Sequence, residues 1–393
     1  MFEWSAEELM IRDAVRDWVD AEVRPRLDDL DSGRIPPYDL IRNLMRTFGM
    51  DEMARASFRK RLSGEGGGSG GGRDVSMALL PIIELCKVSP GMVTAMGVSL
   101  GLAAGTIMKR GTPEQRERWG LDLLTFDKIG AWAITEPGSG SDAFGGMQST
   151  ARKVGDEYVL NGGKTFITNG PYADTIVFYC KLDDGRPPRE REILTFVLDR
   201  GMPGLEQSKP LRKMGLHSSP TGELFLNDVR VGPDRLLSGG GSGKESARQN
   251  FVTERAGLAA MALGVIEECL RLSVDYAKNR VLWGKPIGEY QLIQLKLAKM
   301  EIARLNVQNL VFRYIEMQRA GRTPTLAEAS AMKLYAAQAA VEVTGEAVQL
   351  FGGNGYMSEF RVEQLARDAK SFQIYAGTDE IQITHIARDL LSR

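Results

Sequence analysis

The sequence predicts an α+β fold in which a small β-domain lies between two helical domains. Apolar residues recur at helical spacing near the N-terminus, and short β-branched runs bounded by turn residues fill the middle third. An alanine-rich helical pattern returns after Lys244. A chain of 393 residues is long enough for three domains. We therefore predict a helical domain over 1–128, a β-domain over 129–237 and a second helical domain over 244–393.

The N-terminal block contains two helix-start signals and one glycine-rich interruption. Ser5 and Glu8 form a capping-box pattern, and Thr112 precedes Pro113 in the way typical of a first helical turn. Residues 64–72 read GEGGGSGGG, a composition that favours a surface loop between helices. After the first signal, apolar residues follow at helical spacing: Ile11, Val15, Trp18 and Val19.

One uncharged run, from Val88 to Met108, is long enough to raise the question of a membrane span. Its glycine, serine, threonine and proline residues dilute its apolar character. Gly97, Gly101 and Gly105 lie four residues apart, a spacing that allows close helix packing in a soluble core as well as in lipid. We therefore predict a core helix and no membrane contact.

The middle and C-terminal blocks differ in their periodicity. The runs 158–160, 175–179 and 193–197 are short, apolar and separated by Asn-Gly or Asp-Gly pairs, which predicts β-strands. A second glycine-rich joint follows at 238–243. Beyond it, helical spacing predicts long helices through residues such as Leu295, Ile302, Leu305 and Phe312.

Composition narrows the available chemistry. The 50 Lys and Arg residues balance 51 Asp and Glu residues, so nucleic acid is not an expected partner. The three cysteines form no CxxC pair and there are two histidines, which disfavours a zinc site and a histidine-based triad. We expect no metal and a cytoplasmic protein without a signal peptide. Acid–base chemistry therefore falls to carboxylates or to a cofactor.

Six short segments follow one another over most of the chain. They are AITEPGSGSD at 133–142, KTFITNG at 164–170, TER at 253–255, RVLWGK at 280–285, FGGNGY at 351–356 and YAGTDEI at 375–381. In kind and order these segments resemble the signature of the acyl-CoA dehydrogenase family. One such segment would be weak support, but six in order make the resemblance strong.

The resemblance implies FAD bound between the β-domain and a C-terminal four-helix bundle. In the family, the residue matching Thr135 bonds the pyrimidine side of the flavin, and the one matching Ser141 lies near the phosphates. The residue matching Thr168 donates to flavin N5, and Phe166 stands where an aromatic ring covers the flavin. The resemblance assigns further residues to FAD: Ile134, Arg280, Trp283, Gln291, Gln349, Gly352, Gly353, Thr378 and Glu380.

Two of these segments contact the FAD of a neighbouring subunit in the family. Arg280 matches an arginine that reaches the pyrophosphate, which a guanidinium can bind bidentately. Gly352 and Gly353 leave the clearance that a phosphate needs beside the backbone. Each segment alone has a plainer interpretation, namely a solvated Arg280 with a core Trp283, and a glycine helix cap. The resemblance implies a homo-oligomer, a dimer of dimers.

The catalytic base is where this chain departs from much of the family. Dehydrogenation of an acyl thioester removes an α-proton while a hydride leaves the β-carbon for FAD, so a carboxylate in a dry pocket must face the α-carbon. Many members carry that glutamate at the position of Ala376, and alanine accepts no proton. Isovaleryl-CoA and long-chain members place it on another helix, before an arginine, as in Glu254-Arg255.

Glu254 also suits this role by its position. It lies on an apolar helical stripe, and no residue three or four positions away can pair with its charge. A carboxylate in that setting needs a distant partner or a function. With the resemblance, we predict that Glu254 is the α-proton base. The stripe consists of Phe251, Leu258, Met261 and Val265.

Substrate contacts follow from the same resemblance. In the family, the thioester carbonyl is held by the main-chain N–H at the position of Ala376 and by a ribityl hydroxyl of FAD, which acidifies the α-proton. Arg255 matches an arginine that is directed at the CoA portion. The predicted substrate-binding residues are Ser141, Arg255, Tyr375, Ala376 and Gly377.

The sequence therefore predicts an oxidoreductase of fatty acid metabolism that converts an acyl-CoA to the trans-2-enoyl-CoA and passes electrons to an electron-transfer flavoprotein. One alternative is a dehydrogenase of acyl-carrier-protein thioesters, or a flavin oxidase, on the same fold. Another is a catalytically silent paralogue that acts as a binding or assembly subunit. Ala376 favours the silent paralogue, and Glu254 opposes it.

Overall fold

The computed structural model describes residues 3–62, 75–239 and 243–392. Within these ranges the chain forms a helical block, a seven-stranded sheet and a second helical block, which confirms the predicted α+β class. The predicted loop 64–72 and residues 240–242 of the predicted joint lie outside the described residues.

Two of the N-terminal helices begin at the predicted capping signals. The Glu8 N–H donates to Ser5 Oγ at 3.2 Å, and the Ser5 N–H donates to Glu8 Oε2 at 2.6 Å. Thr112 forms the same kind of box with Gln115. The helices are α1 Ala6–Trp18, α2 Leu27–Asp31, α3 Tyr38–Thr47, α4 Met50–Leu62, α5 Val75–Cys86, α6 Pro90–Gly97, α7 Gly105–Arg110, α8 Pro113–Gln115 and α9 Leu121–Leu124.

The uncharged run forms one continuous helical stretch, Pro90–Arg110, in which a π-helical segment joins α6 to α7. Among the described helices, this stretch is long and apolar enough to cross a membrane, but 56% of its most apolar window is buried inside the protein. Ser99 Oγ accepts a hydrogen bond from the Gly130 N–H at 2.8 Å, and Ala95 O accepts one from Asn169 Nδ2 at 2.9 Å. These are the contacts of a core helix packed against the β-domain.

The middle block is a mixed sheet. Its strands are ordered β1-β4-β2-β3-β7-β6, with β5 paired to β4. Strand β4 runs parallel to β1 and β2, whereas the other pairs are antiparallel. The strands are β1 Gly130–Ala133, β2 Thr150–Val154, β3 Glu157–Thr168, β4 Thr175–Leu182, β5 Ile193–Asp199, β6 Leu205–Gln207 and β7 Thr221–Val231. The apolar run at 176–180 in β4 matches the burial of this strand along nearly its whole length.

The C-terminal block is built on three long helices. α12 packs against α10, α11 and α14, and α10 also packs against α5 of the first block. A two-stranded hairpin, β8–β9, separates α10 from α11. The elements are α10 Gly243–Asn279, β8 Val281–Leu282, β9 Lys285–Pro286, α11 Gln291–Arg319, α12 Leu326–Phe351, α13 Val362–Lys370 and α14 Asp379–Leu391.

The two helical blocks share one hydrophobic core among the described residues. Ile83 and Leu85 of α5 belong to the same buried cluster as Val265 of α10 and Val343 of α12. A second buried cluster packs on one face of the sheet. A third joins the other face to α7 and the helices that follow it. Blocks that lie far apart in sequence are therefore a single packed unit, with the sheet docked on one side.

The apolar stripe predicted on α11 faces outward in the single chain. Phe312 packs edge-on against Trp4 at 5.1 Å between ring centres, but Leu295, Ile302 and Leu305 are exposed. The helix itself was predicted correctly. We use the name α11 patch for its exposed apolar residues together with a neighbouring tyrosine of α12: Leu292, Leu295, Ile302, Leu305 and Tyr335.

Candidate functional site

Arg255 connects α10 to the turn at 375–377 and to two more helices. Its Nε donates to Ala376 O at 3.2 Å, and its Nη1 donates to Ser330 Oγ at 3.1 Å. The same Nη1 lies 3.2 Å from His385 Nδ1. Arg255 is 3% exposed, so these contacts are shielded from water. The residue beside Glu254 is therefore fixed against α12, α14 and the turn.

Glu254 is a half-buried carboxyl with no hydrogen-bond partner among the described residues. Burial raises its pKa to about 7, although the positive charges of Arg255 and Lys333 lower it. Burial also raises the pKa of Tyr375, and the Glu254 charge adds to that increase. An unpaired carboxyl with a pKa near neutrality has the property that a general base requires.

The turn that Arg255 contacts has an unusual backbone. Ala376 has φ 56° and Gly377 has φ 88°, and the left-handed region is unfavourable for alanine. Gln382 Nε2 donates to Ala376 O at 3.0 Å and to Gly377 O at 2.7 Å, while Lys333 Nζ donates to Gly377 O at 2.9 Å. The Ala376 N–H, in contrast, donates to none of the described residues. The turn thus has anchored carbonyls and an unoccupied donor.

A buried ion pair fixes the segment after β1 to strand β3. Lys164 Nζ lies 2.9 Å from Glu136 Oε1 and donates to Ile134 O at 3.1 Å, and both charged side chains are almost fully buried. Glu136 also accepts from the Gln148 and Ser149 N–H groups at 2.6 and 2.9 Å. Two of the quoted sequence segments therefore meet through a contact that we did not predict, although both partners lie within those segments.

Beside this ion pair, a β-bulge turns an aromatic ring outward. The register of β3 against β7 shifts between Lys164 and Ile167, and Phe166 between them has φ 56° and is 69% exposed. The Thr165 N–H donates to Thr135 O at 3.0 Å, which places Thr135 alongside this strand. The hydroxyls of Thr135 and Thr168 have no partner within the described ranges. An open ring face and free hydroxyls are available here for a planar, polar ligand.

Aromatic contacts place α10 against the β-domain. Phe251, one turn before Glu254, packs edge-on against Trp132 at 6.1 Å and lies 6.5 Å from the ring of Phe144. The Arg255 guanidinium lies 5.6 Å from the Phe251 ring centre. Glu254 therefore lies where the bundle meets the loop that follows β1.

A second group of predicted cofactor residues lies at the other end of α10. Tyr276 stacks on Phe351 at 4.0 Å between ring centres, and its hydroxyl accepts from Asn354 Nδ2 at 3.0 Å. This contact holds the FGGNGY segment against the end of α10, where Arg280 follows. The group comprises Arg280, Trp283, Gln291, Gln349, Gly352 and Gly353, and each of these residues is exposed.

Trp283 does not pack in the core. It is 88% exposed at the tip of the β8–β9 hairpin, so the alternative of a core tryptophan is wrong. Its φ is 50°, a conformation that hairpin tips normally give to Gly, Asn or Asp. A bulky exposed ring held in an unfavourable backbone conformation points to a contact outside this chain.

The two groups of predicted FAD residues are too far apart to contact one ligand molecule within one chain. Glu254 lies on α10, and Arg280 directly follows the last residue of that helix. At 1.5 Å per residue they are separated by about 39 Å along the helix axis. Thr378 and Glu380 lie at the start of α14, near the first group, where Thr378 caps the helix by accepting from the Ile381 N–H at 3.4 Å. Ser141 is exposed in the loop after β1.

The other reactive groups among the described residues form no second centre. Cys86, Cys180 and Cys269 are buried and unpaired, and burial raises the pKa of each thiol. Within the part of the chain that the structure describes, no group of three His, Cys, Asp or Glu side chains is arranged to hold a metal ion.

Known proteins match the chain along its whole length. Three family models match in succession: the acyl-CoA dehydrogenase N-terminal domain over 5–127, the middle domain over 131–229 and the C-terminal domain over 241–391. A Bacillus subtilis protein described as an acyl-CoA dehydrogenase is 36% identical over 387 residues, which is 98% of each chain.

Solved structures agree with these matches. Butyryl-CoA dehydrogenase from Megasphaera elsdenii superposes with a TM-score of 0.86 at 34% identity and 100% coverage of both chains. A glutaryl-CoA dehydrogenase from Mycobacterium smegmatis in complex with FADH2 superposes with a TM-score of 0.84 at 27% identity, covering 99% of this chain and 95% of that one.

Proposed function

Since this chain belongs to the acyl-CoA dehydrogenase family, we propose that it converts an acyl-CoA thioester to the trans-2-enoyl-CoA with Glu254 as the base. One observation carries the assignment of the base. Glu254 is an unpaired carboxyl with a pKa of about 7, and the next residue, Arg255, bonds the turn whose Ala376 N–H is free. We propose that this base and this oxyanion donor act on one thioester.

The residues beside β1 and β3 fit FAD. Ile134, Thr135, Phe166 and Thr168 would hold the isoalloxazine end, because they include an exposed aromatic ring and free hydroxyl donors. The exposed Ser141 would lie near the phosphates. When bound, FAD supplies the acceptor for the hydride of the β-carbon. The relative in complex with FADH2 supports the same cofactor for this chain.

Different protein groups would act on the α-proton and on the thioester carbonyl. Glu254 accepts the α-proton, and the Ala376 N–H donates to the thioester carbonyl, which stabilises negative charge as that proton leaves. Arg255 holds the helix of the base against the turn. Tyr375 and Gly377 flank the donor, and the entering acyl chain excludes water from the carboxyl.

The pKa of Glu254 predicts how the reaction depends on pH. Because the base must be ionised and burial raises its pKa to about 7, kcat/KM for flavin reduction should rise about tenfold per pH unit below 7 and level off above it. Stopped-flow measurement of flavin bleaching from pH 5.5 to 9 tests this. A profile that is flat across pH 6–8 would contradict the assignment of the base.

We propose further that the active unit is a homo-oligomer. The group around Arg280 is exposed and far from Glu254, so it would bind the adenosine-diphosphate part of a neighbour's FAD. The α11 patch gives an exposed apolar surface of the kind that subunits bury. In the family, subunits that contact a neighbour's FAD form a dimer of dimers, and we propose the same assembly for this chain.

A charge in the α11 patch tests the proposed assembly. Ile302→Glu should dissociate the oligomer and weaken FAD binding by about tenfold or more, because the interface would contain an unpaired charge. Sedimentation velocity and FAD titration measure the two effects. Val154→Glu, the same kind of change at an exposed residue of β2, should alter neither. A wild-type monomer saturated with FAD and active would contradict the proposal.

The function itself is tested on purified, FAD-loaded protein. Straight and branched acyl-CoAs should bleach the flavin, and a dye or an electron-transfer flavoprotein should reoxidise it. Bleaching by acyl-carrier-protein thioesters alone would favour the carrier-protein alternative, and rapid reoxidation by O₂ would favour an oxidase. No bleaching with any thioester would favour the silent paralogue and overturn the proposal.

A further inference from the structure

Lys333 is a buried cation that the proposed chemistry leaves without a role. It lies on the alanine-rich helix α12, and its side chain is 0% exposed. A buried ammonium is unfavourable unless it is hydrogen-bonded and paired, so its partners indicate what it stabilises.

Those partners flank the start of α14. Lys333 Nζ donates to Gly377 O at 2.9 Å and lies 3.4 Å from Asp379 Oδ1. Asp379 Oδ2 in turn accepts from Gln338 Nε2 at 3.3 Å. Lys333 thus connects α12 both to the turn before α14 and to the first residue of that helix.

The turn needs such anchors because its backbone is unfavourable. Ala376 and Gly377 are both left-handed, and a strained conformation persists when its surroundings over-determine it. We propose, resting on the proposed function, that Lys333 is a positioning residue that holds this turn opposite Glu254, so that the Ala376 N–H can donate to the thioester carbonyl.

The charge of Lys333 has a second effect, which Gln382 lacks although it anchors the same turn. Lys333 and Arg255 are the cations that lower the pKa of Glu254. Among the titratable groups, Tyr375 of the turn interacts with this carboxyl, Asp379 contacts Lys333, and His385 contacts Arg255. Gln382 anchors the same carbonyls without carrying a charge. Removing Lys333 should therefore raise the pKa of Glu254, whereas removing Gln382 should not.

The test compares Lys333→Met, Lys333→Gln and Gln382→Leu as FAD-loaded holoenzymes. We expect Lys333→Met to slow flavin reduction by an acyl-CoA about 10- to 100-fold with little change in KM, since small displacements of a reacting group are costly. Its pH profile should move to higher pH. The C=O stretching band of bound but-2-enoyl-CoA should move back toward its frequency in the free ligand.

The other two variants separate charge from anchoring. Gln382→Leu should shift the carbonyl band and slow the reaction without moving the pH profile. Lys333→Gln should move the pH profile with a smaller band shift, because glutamine keeps a donor but no charge. If Lys333→Met does not fold, Lys333→Gln decides the test.

Two results would overturn the proposal: a folded Lys333→Met with an unchanged carbonyl band and a rate within about twofold of wild type, or a Lys333→Gln with an unchanged pH profile and band. Failure of the proposed function gives a different result. In that case the wild-type protein reduces its flavin with no acyl-CoA, whether or not it binds but-2-enoyl-CoA. The band shift between wild type and variant is measured independently of turnover.

Discussion

Glu254→Gln should lose flavin reduction while keeping FAD and binding acyl-CoA. Removal of a general base costs about 10²–10⁴-fold in rate, and the upper part of that range is expected because Glu254 has no hydrogen-bonded neighbour among the described residues to replace it. Glutamine preserves size and removes the proton acceptor. Stopped-flow bleaching measures the rate, and calorimetric titration with an enoyl-CoA measures binding.

Two further variants sharpen this result. Glu267→Gln makes the same change on the same helix, at a glutamate that pairs with Lys87 2.8 Å away, and should leave the rate unchanged. Adding Ala376→Glu to the Glu254→Gln protein should recover part of the rate, since we propose that both positions face the same α-carbon. Near wild-type bleaching by Glu254→Gln would show that the base lies elsewhere.

Lys164→Met should destabilise the β-domain by about 3–5 kcal/mol, the usual effect of removing one partner from a buried ion pair. Methionine fills the space of the lysine, but Glu136 would remain buried with an unpaired charge. The loop after β1 would then detach from β3, and FAD should dissociate with it. Urea unfolding followed by tryptophan fluorescence, together with flavin content, measures both effects.

The loss of stability in Lys164→Met should depend on pH, and the direction of that dependence follows from Glu136. Without Lys164, burial raises the pKa of this carboxyl, so protonation at pH 5 relieves the unpaired charge and the loss is smaller than at pH 8. The double variant Lys164→Met/Glu136→Gln should regain part of the stability. Lys153→Met, at an exposed lysine of β2, should have little effect. Equal destabilisation at both positions would refute the role of the pair.

The order of the blocks and the helix starts could be predicted because their causes are local. Ser5 with Glu8 and Thr112 with Gln115 are contacts between residues three positions apart, and periodicity reports burial within one element. Glu254 was predicted partly from its apolar stripe and partly from resemblance. Its role as the base stays a prediction, for a carboxyl whose pKa burial raises to about 7.

Contacts between distant segments could not be predicted in this way. Lys164 and Glu136 lie in two quoted segments, yet neither segment indicates that the other carries its partner. Lys333 has a weak signal, since it shares a helical face with Ala329, Ala336 and Ala340, which are buried. No sequence pattern indicated that the α11 patch faces outward, because periodicity identifies an apolar face but not what covers it.

The shared core of the helical blocks has a consequence for biosynthesis. Ile83 of α5 packs in one cluster with Val265 of α10, and roughly 180 residues separate them in the chain. At about 5–20 residues per second, the ribosome needs roughly 10–40 s to make the later partner. Throughout that interval the nascent N-terminal helices expose apolar surface while the β-domain, whose strands are contiguous, can already fold. A chaperone that shields those helices should therefore decide the yield of the protein in cells.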